Sequence, residues 1–513
     1  MAARLQTGST PNSDRSMLVG VGVMLLTALV GIFAIAVADG SFSGYPYLFV
    51  LPWTLALAVV MVIPSAVLYY QGNFTFANPL VLATWSYFFP AFVVGGILFS
   101  LGYSEPYFLA LIQDAETNLP MAVVLVGLGF IGLSLGYFLP FAGRAGNSVA
   151  AWLPRRAHEP SSLAAPGVML LVLGVFNTFA AFAVGLFGYQ RNDDFGPYDG
   201  LIYLSSFFYI QGSFILWLVI FRLKKLTVLY IPVIALLVGT ALSKALFAGN
   251  RGTVLQIFLV ITLAYVLSGR QFKFRQGAVA TGLLSVGLVL GMIYGTNFRM
   301  VKGSEAQQSA GQYVEQVFQT LEQVGRTDSL ESLAFGFSSL AERVDILTTF
   351  AVVVANYEQL KPYEEAYGLD NNIWIDSTTF FIPRIFWRDK PSASDPRKYS
   401  DLYFNYGENS FAITAVGDLL RNFGVPGVFF GMLILGAILR FLFVALVQSG
   451  EFSFWRLTLY FMLMVSLSYE GFYGTIIPNF FKYGVIAIVG ILLVEVFARK
   501  LDSGGAANQS PIQ

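Results

Sequence analysis

The sequence predicts an all-α polytopic membrane protein of about twelve transmembrane helices with one large loop on the outer side. Three observations carry this. The 513 residues are 56% hydrophobic and only 12% charged, against about 25% charge in soluble domains. Apolar runs near 20 residues, the length of a helix that crosses a bilayer, recur along the chain. The period-two alternation of an outer-membrane barrel dominates no stretch.

In order, the expected spans are Met17–Asp39, Tyr47–Tyr70, Ala77–Leu101, Leu119–Phe141, Leu163–Phe187, Gly200–Phe221, Leu226–Phe247, Thr253–Ser268 and Ala278–Phe298. Val425–Val447, Trp455–Ile476 and Tyr483–Ala498 follow the long polar segment. The chain thus divides into an N-terminal membrane bundle of about nine helices (1–298), a large outer loop (299–410), C-terminal membrane helices (411–498) and a disordered cytoplasmic tail (499–513). Polar residues Met1–Ser16 precede an apolar run too long for a signal-peptide core, which reads as a retained first span.

Orientation follows from Lys and Arg in short loops. With the N-terminus in the cytoplasm, Arg144, Arg155, Arg156, Arg222, Lys224, Lys225, Arg270, Lys273, Arg275, Arg499 and Lys500 all fall inside. Glu105, Asp114, Glu116, Asp193, Asp194 and Asp199 fall outside, and so does the long segment. Within that segment Leu330, Leu333, Phe337, Leu340, Val344, Leu347, Ala351 and Val354 recur at spacings of three and four. This predicts an amphipathic helix on the membrane or against the bundle.

Composition also narrows function. A net charge of zero leaves no nucleic-acid footprint. The absence of cysteine removes thiolate metal sites and cysteine nucleophiles. His158, the one histidine, sits in a basic cytoplasmic loop and reads as a solvated residue. Neither a zinc site nor a Ser–His–Asp triad is expected from one histidine. No Walker loop, and no GxGxxG after a strand, points to nucleotide chemistry. No cofactor and no metal are expected.

Candidate site residues gather near the outer side. Arg251, between Gly249-Asn250 and Gly252, opens a helix at an outer turn. Free N–H groups and the helix dipole there favour an anion, so Arg251 reads as a pyrophosphate clamp, or else as an interfacial arginine snorkelling to headgroups. Lys244 lies about 10 Å down the preceding helix. Arg299 and Lys302 close the span that opens the long segment, fitting either a phosphate ligand or plain anchoring. Arg343 lies with Glu342 and Asp345 on the polar edge of the expected amphipathic helix. Arg384, Arg388 and Lys390 share seven residues with Phe386 and Trp387, between Pro383 and Pro391. Arginine suits bidentate phosphate contact, lysine gives a point charge, and Trp387 offers a face for a sugar. Two carboxylates could take a proton. Glu408 ends the long segment and reads as a base or as a cap. Glu470 lies inside an expected span, where a carboxylate is costly and functional by default; its alternative is an ion pair with Lys244 or Arg251. Asp418 and Arg421-Asn422-Phe423-Gly424 read as a short re-entrant or surface helix facing the site.

This ordered set resembles the bacterial O-antigen and exopolysaccharide repeat-unit polymerases of the Wzy type. The resemblance rests on about twelve spans with a late outer loop, and on short motifs. These are Asn78-Pro79-Leu80, Asn250-Arg251-Gly252, Ile382-Pro383-Arg384 with Trp387 and Lys390-Pro391, Asn409-Ser410 and Asn422-Phe423-Gly424. It implies a GT-C-like membrane glycosyltransferase in the bacterial inner membrane. Such an enzyme moves a growing glycan from undecaprenyl pyrophosphate onto the next lipid-linked repeat unit on the periplasmic face, with no cofactor. The resemblance further implies Arg251 as a pyrophosphate-binding residue, Arg384 as a loop cation at the site, and a chain-length regulator and flippase as protein partners. The related O-antigen ligases use an outer-loop histidine, which this chain lacks. A lipid-linked oligosaccharide transporter and a non-catalytic scaffold of an export machine are the competing classes.

Overall fold

The computed structural model describes residues 44–154, 159–186, 198–223, 225, 227–228, 230–248, 251–270, 273–302, 310–326, 340–382, 386–387, 390–391, 393–407, 410–448 and 452–507. Every regular element among them is helical. Among the described residues nine helices are long and apolar enough to cross a membrane, and Gly252–Leu267 and Phe454–Ser466 are shorter apolar helices. A helix therefore stands at each expected span except Met17–Asp39, which lies outside the described residues.

The elements run α1 (Leu51–Tyr70), α2 (Pro79–Ser100), α3 (Ala115–Phe138), α4 (Pro140–Trp152), α5 (Ala164–Ala183), α6 (Asp199–Arg222), α7 (Tyr230–Ala248), α8 (Arg251–Leu267) and α9 (Phe274–Lys302). Then come α10 (Ala310–Arg326), α11 (Ile346–Tyr367), α12 (Asn372–Thr379), α13 (Pro396–Phe404), α14 (Ala415–Phe443), α15 (Phe454–Ser466) and α16 (Ile476–Ala507). Local chemistry sets the starts. Asn78 caps α2, its side chain accepting from the Leu80 N–H at 3.0 Å, and Pro79 occupies the first position, where no N–H is needed. The middle of α2, Thr84–Val94, is wound as a π-helix around Pro90.

Close backbone packing holds the core. Helices α3 and α14 meet through glycines: a β-carbon at Gly132 would stand 2.5 Å from the Phe429 carbonyl oxygen, and those at Gly136 and Gly436 would collide with the facing backbone. Gly174 and Gly212 do the same for α5 and α6. In a bilayer, where apolar burial between helices gains little, such small-residue contacts drive association. Periphery and centre differ sharply. Two-thirds of the apolar stretch of α2 and of α3 is buried, against 6% for α7 and α9.

The bundle has two polar faces. One carries the described residues of 101–114, 345–418 and 467–475. There Asn356 donates to the Leu111 carbonyl at 2.9 Å, and Phe108 packs edge-on against Phe404 at 5.2 Å. The opposite face joins the described residues of 139–154, 222–228, 268–273 and 452–456. There Trp455 Nε1 donates to the Pro154 carbonyl at 3.2 Å, and Arg222 Nη1 donates to the Ser268 carbonyl at 3.4 Å.

Two expectations change. Where the amphipathic stripe is described it lies against the bundle, one of the two expected placements, but it is not two-faced there. Residues 330–339 are outside the described set, and Ile346–Val354, the first part of α11, is buried on every side. Gly95 and Gly96 of α2 let it in, since β-carbons there would strike Val344, Asp345 and Leu347. The two-faced helix is instead α10, which buries Gln316, Val317 and Thr320 and exposes Val314, Phe318 and Leu321. Secondly, the expected span Trp455–Ile476 stops at Ser466. Residues 469–470 leave the helix because their carbonyls accept from the Thr414 N–H at 3.1 Å and the Ala415 N–H at 2.9 Å.

Candidate functional site

The 345–418 face holds a cluster built from four separated segments. Its floor is Arg421, buried at 1% exposure in the first part of α14. This part is a short helix set apart from the span below it; with Ala415–Arg421 all buried, it is not the surface helix that the sequence allowed. Thr414 caps it by accepting from the Gly417 N–H at 2.9 Å, and Gly424 ends it at φ 66°, ψ −163°. That backbone region is open to glycine almost alone. Below it the chain continues as an apolar span.

Arg421 meets two carboxylates. Its Nη1 donates to Glu364 Oε1 at 2.9 Å and to the Leu369 carbonyl at 3.0 Å. Its Nη2 donates to Asp418 Oδ1 at 2.9 Å and to Asn372 Oδ1 at 2.7 Å. Asn422 Nδ2 adds 2.8 Å to Asn372 Oδ1. Asn372 Nδ2 donates to Asp418 Oδ2 at 3.1 Å, and so does the Gly474 N–H, also at 3.1 Å. Tyr403 donates to Glu364 Oε1 at 2.9 Å. A buried charge is tolerated only when paired and hydrogen-bonded in this way. The network ties α11, α12, α14 and the 467–475 loop into one platform. Burial still pushes the Glu364 carboxyl up from its ordinary range, against the pull of Arg421.

Asp376 stands on this platform. It lies one helical turn beyond Asn372 in α12, on the same face. It is half-buried and accepts a short hydrogen bond from Ser394 Oγ, which itself accepts from Asn372 Nδ2 at 3.0 Å. Burial raises its carboxyl above the ordinary range, and the negative charge of Asp418 adds to this; the Ser394 bond and the charges of Lys482 and Lys390 pull it back. Around the cluster the exposed aromatics are Trp374, Phe381, Phe423 and Phe481. Trp374 packs against Phe423 at 6.1 Å, and Phe380 against Phe481 at 5.0 Å.

Backbone strain is confined to the same face. The non-glycine residues with positive φ among the described residues are Asp114, Asn371, Asn405 and Thr414. Asn371 precedes α12, Asn405 ends α13, and Thr414, a β-branched residue at φ 64°, precedes α14. Such outliers persist only where surrounding contacts over-determine them.

The residues singled out from the sequence fare differently. Arg384, Arg388 and Glu408 lie outside the described residues. Arg251 begins α8 and Arg299 lies in the last turns of α9, both at helix ends on the site face; their side chains are outside the described set. Arg343 is exposed on the short helical stretch 340–344 before α11. About 27 Å of helix separates Ile346 from Glu364, so Arg343 is not brought into the cluster. Trp387 is half-buried. Lys390 joins the cluster, but as a tether: its Nζ donates to the Thr379 carbonyl at 2.8 Å and the Ile382 carbonyl at 3.1 Å, capping the end of α12.

Glu470 needs correction. It is not a buried carboxylate inside a span. It is exposed on the loop after α15, because two backbone hydrogen bonds draw that loop to 414–415. Nor does Lys244 pair with it. Lys244 Nζ donates to Gln256 Oε1 at 3.5 Å and lies 4.5 Å from the centre of the Tyr209 ring. Glu364, Asn372, Asp376, Ser394 and Lys482 were not read from the sequence. The i, i+4 spacing of Asn372 and Asp376 was the one local signal.

The chain belongs to the family described as Domain of unknown function (DUF8712), which matches residues 196–485. Glu364, Asn372, Asp376, Lys390, Ser394, Asp418, Arg421 and Lys482 all fall within that stretch. Comparison with curated proteins finds no match, and neither does comparison with solved structures.

Proposed function

We propose that the chain is an integral-membrane glycosyltransferase of the GT-C type. It polymerises undecaprenyl-pyrophosphate-linked oligosaccharide repeat units into O-antigen, capsule or exopolysaccharide on the periplasmic face of the bacterial inner membrane. One observation carries this reading: a charged, pre-organised cluster rimmed by exposed aromatics sits where a polar helix meets its own membrane span, on one face only. A lipid-linked sugar needs that combination, with an apolar rim for the prenyl chain and polar groups for the headgroup.

The chemistry fits. A diphosphate is already a good leaving group, so the main electrostatic task is to hold its developing charge. Arg251, Arg299 and Lys482 supply positive charge at the ends of helices on this face. Arg384 and Arg388 belong to the loop between Ile382 and Lys390, whose two ends are on the same face. The opposite face carries Arg144, Arg222, Lys225, Arg270, Lys273 and Arg275 in short connections. By the positive-inside bias this supports a site turned away from the cytoplasm.

Reconstitution in vesicles with purified lipid-linked repeat units tests the reading. A ladder of lengthened glycans is expected. Arg251→Ala and Arg384→Ala are each expected to abolish long chains at normal protein level. Movement of the substrate across the bilayer without elongation would replace this reading with a transporter.

A further inference from the structure

We infer that Asp376 takes the proton from the acceptor hydroxyl, with Lys482 meeting the charge of the departing diphosphate and Lys390 holding the end of α12 beside it. This rests on the polymerase reading and assigns the base to a described residue of the cluster, where Glu470, exposed on its loop, does not stand.

Three carboxylates meet in the cluster, and their surroundings separate their roles. Glu364 and Asp418 are buried at 4% and 0% exposure. Both Asp418 oxygens are occupied, Oδ1 by Arg421 and Asn422, Oδ2 by Asn372 and the Gly474 N–H. Glu364 is held by Arg421 and Tyr403. These two acids neutralise the buried arginine and have no path to a substrate. Asp376 is half-buried, and only its Oδ2 is used, by Ser394. Its Oδ1 makes no hydrogen bond among the described residues.

The support behind Asp376 is rigid. Ser394, which fixes its orientation, is itself fixed by Asn372, and Asn372 is locked by Asp418, Arg421 and Asn422. A base must be held to a fraction of an ångström to act well, and a chain of satisfied side chains does that. The raised carboxyl, lifted mainly by burial, makes Asp376 a better proton acceptor than an open aspartate. Lys482 lies on α16 beside Phe481, and Lys390 caps α12, so both cations stand next to the aromatic rim.

The step balances. The acceptor hydroxyl gives its proton to Asp376 Oδ1, and its oxygen bonds to the anomeric carbon of the donor. The bond from that carbon to the diphosphate breaks, and its electron pair leaves on the diphosphate oxygen. The products are a glycan lengthened on the acceptor lipid and a free prenyl diphosphate.

Full-length protein in vesicles, supplied with lipid-diphosphate-linked repeat units, gives the test. Asp376→Asn should cut the elongation rate by at least about 100-fold, the usual contribution of a positioned base, with KM little changed. Ser394→Ala should lower kcat, by less than Asp376→Asn does, and move the acid limb of the pH–rate profile upward, because the bond it removes orients the base and favours its ionised form. Elongation by Asp376→Asn at the wild-type rate, or an unmoved acid limb in Ser394→Ala, overturns the assignment. Should Asp376→Asn fail to fold in a thermal melt, Asp376→Glu decides by the same acid limb: a shift supports the assignment, no shift overturns it. Absence of any elongation by the wild type sinks the polymerase reading instead, which keeps the two failures apart.

Discussion

Arg456 and Arg421 are both buried at a helix end, on opposite faces of the bundle, and they are satisfied by different partners. Arg456 Nη2 donates to the Ala150 and Leu153 carbonyls, each at 2.9 Å, and its guanidinium lies 5.7 Å from the Trp455 ring centre. Its neighbour Arg440 meets the Tyr137 hydroxyl at 3.2 Å and the Tyr137 ring at 5.2 Å. These arginines tie connections to helix ends through dipoles and rings. Arg421 meets two carboxylates and draws in Asn372, Asn422, Ser394 and Tyr403 at first or second remove. The difference separates an anchored face from a face where charge is collected around a platform.

Deleting each arginine breaks the comparison most directly. Arg421→Ala leaves Glu364 and Asp418 buried without their cation and should cost about 3–5 kcal/mol. Arg456→Ala frees the Ala150 and Leu153 carbonyls and should cost about 1–3 kcal/mol. Thermal unfolding in one detergent measures both, and equal losses would erase the distinction. A smaller effect should follow from Gly424→Ala. The joint at φ 66° resists any β-carbon, so about 1–3 kcal/mol of strain is expected, and it should appear as loosened protection of the Ala415–Phe423 amides in hydrogen exchange.

The smallest expected effect concerns Asp345. It caps α11 through the Thr348 N–H at 3.1 Å and accepts from Ser104 at 2.8 Å. Burial pushes its carboxyl up to about 7, from 3.8. The folded form then holds a proton that the unfolded form loses between these values. Its contribution to stability is full below about pH 4 and is lost as pH rises through about 7. Asp345→Asn should flatten that part of the decline in melting temperature between pH 5 and pH 8; an unchanged slope would count against it.

The spans were legible because length and apolarity alone specify them, and so was the polar helix before Gly424, whose Asp418-Arg421-Asn422 run precedes a glycine. What sequence could not carry was pairing at a distance. Glu470 looked buried because apolar residues flank it, whereas two backbone bonds to 414–415 take it out of its helix. Helix α11 looked two-faced because its apolar residues recur at spacings of three and four beside Glu342, Arg343 and Asp345, yet Asp345 and Thr348 satisfy each other locally and leave the first part of the helix fit for burial on every side. Asp376 and Lys482 lie about a hundred residues apart and share a site only after α12 settles across α16.

The joint at Gly424 has a consequence for how the protein suits its membrane. Above it sit all the α14 groups that the polar platform uses; below it runs plain lipid-spanning helix. The lower part is fixed against α3 by the backbone contacts at Gly132, Gly136 and Gly436, so its angle to the membrane is set there. The non-helical joint lets the platform take a direction of its own while the span keeps the one that α3 imposes.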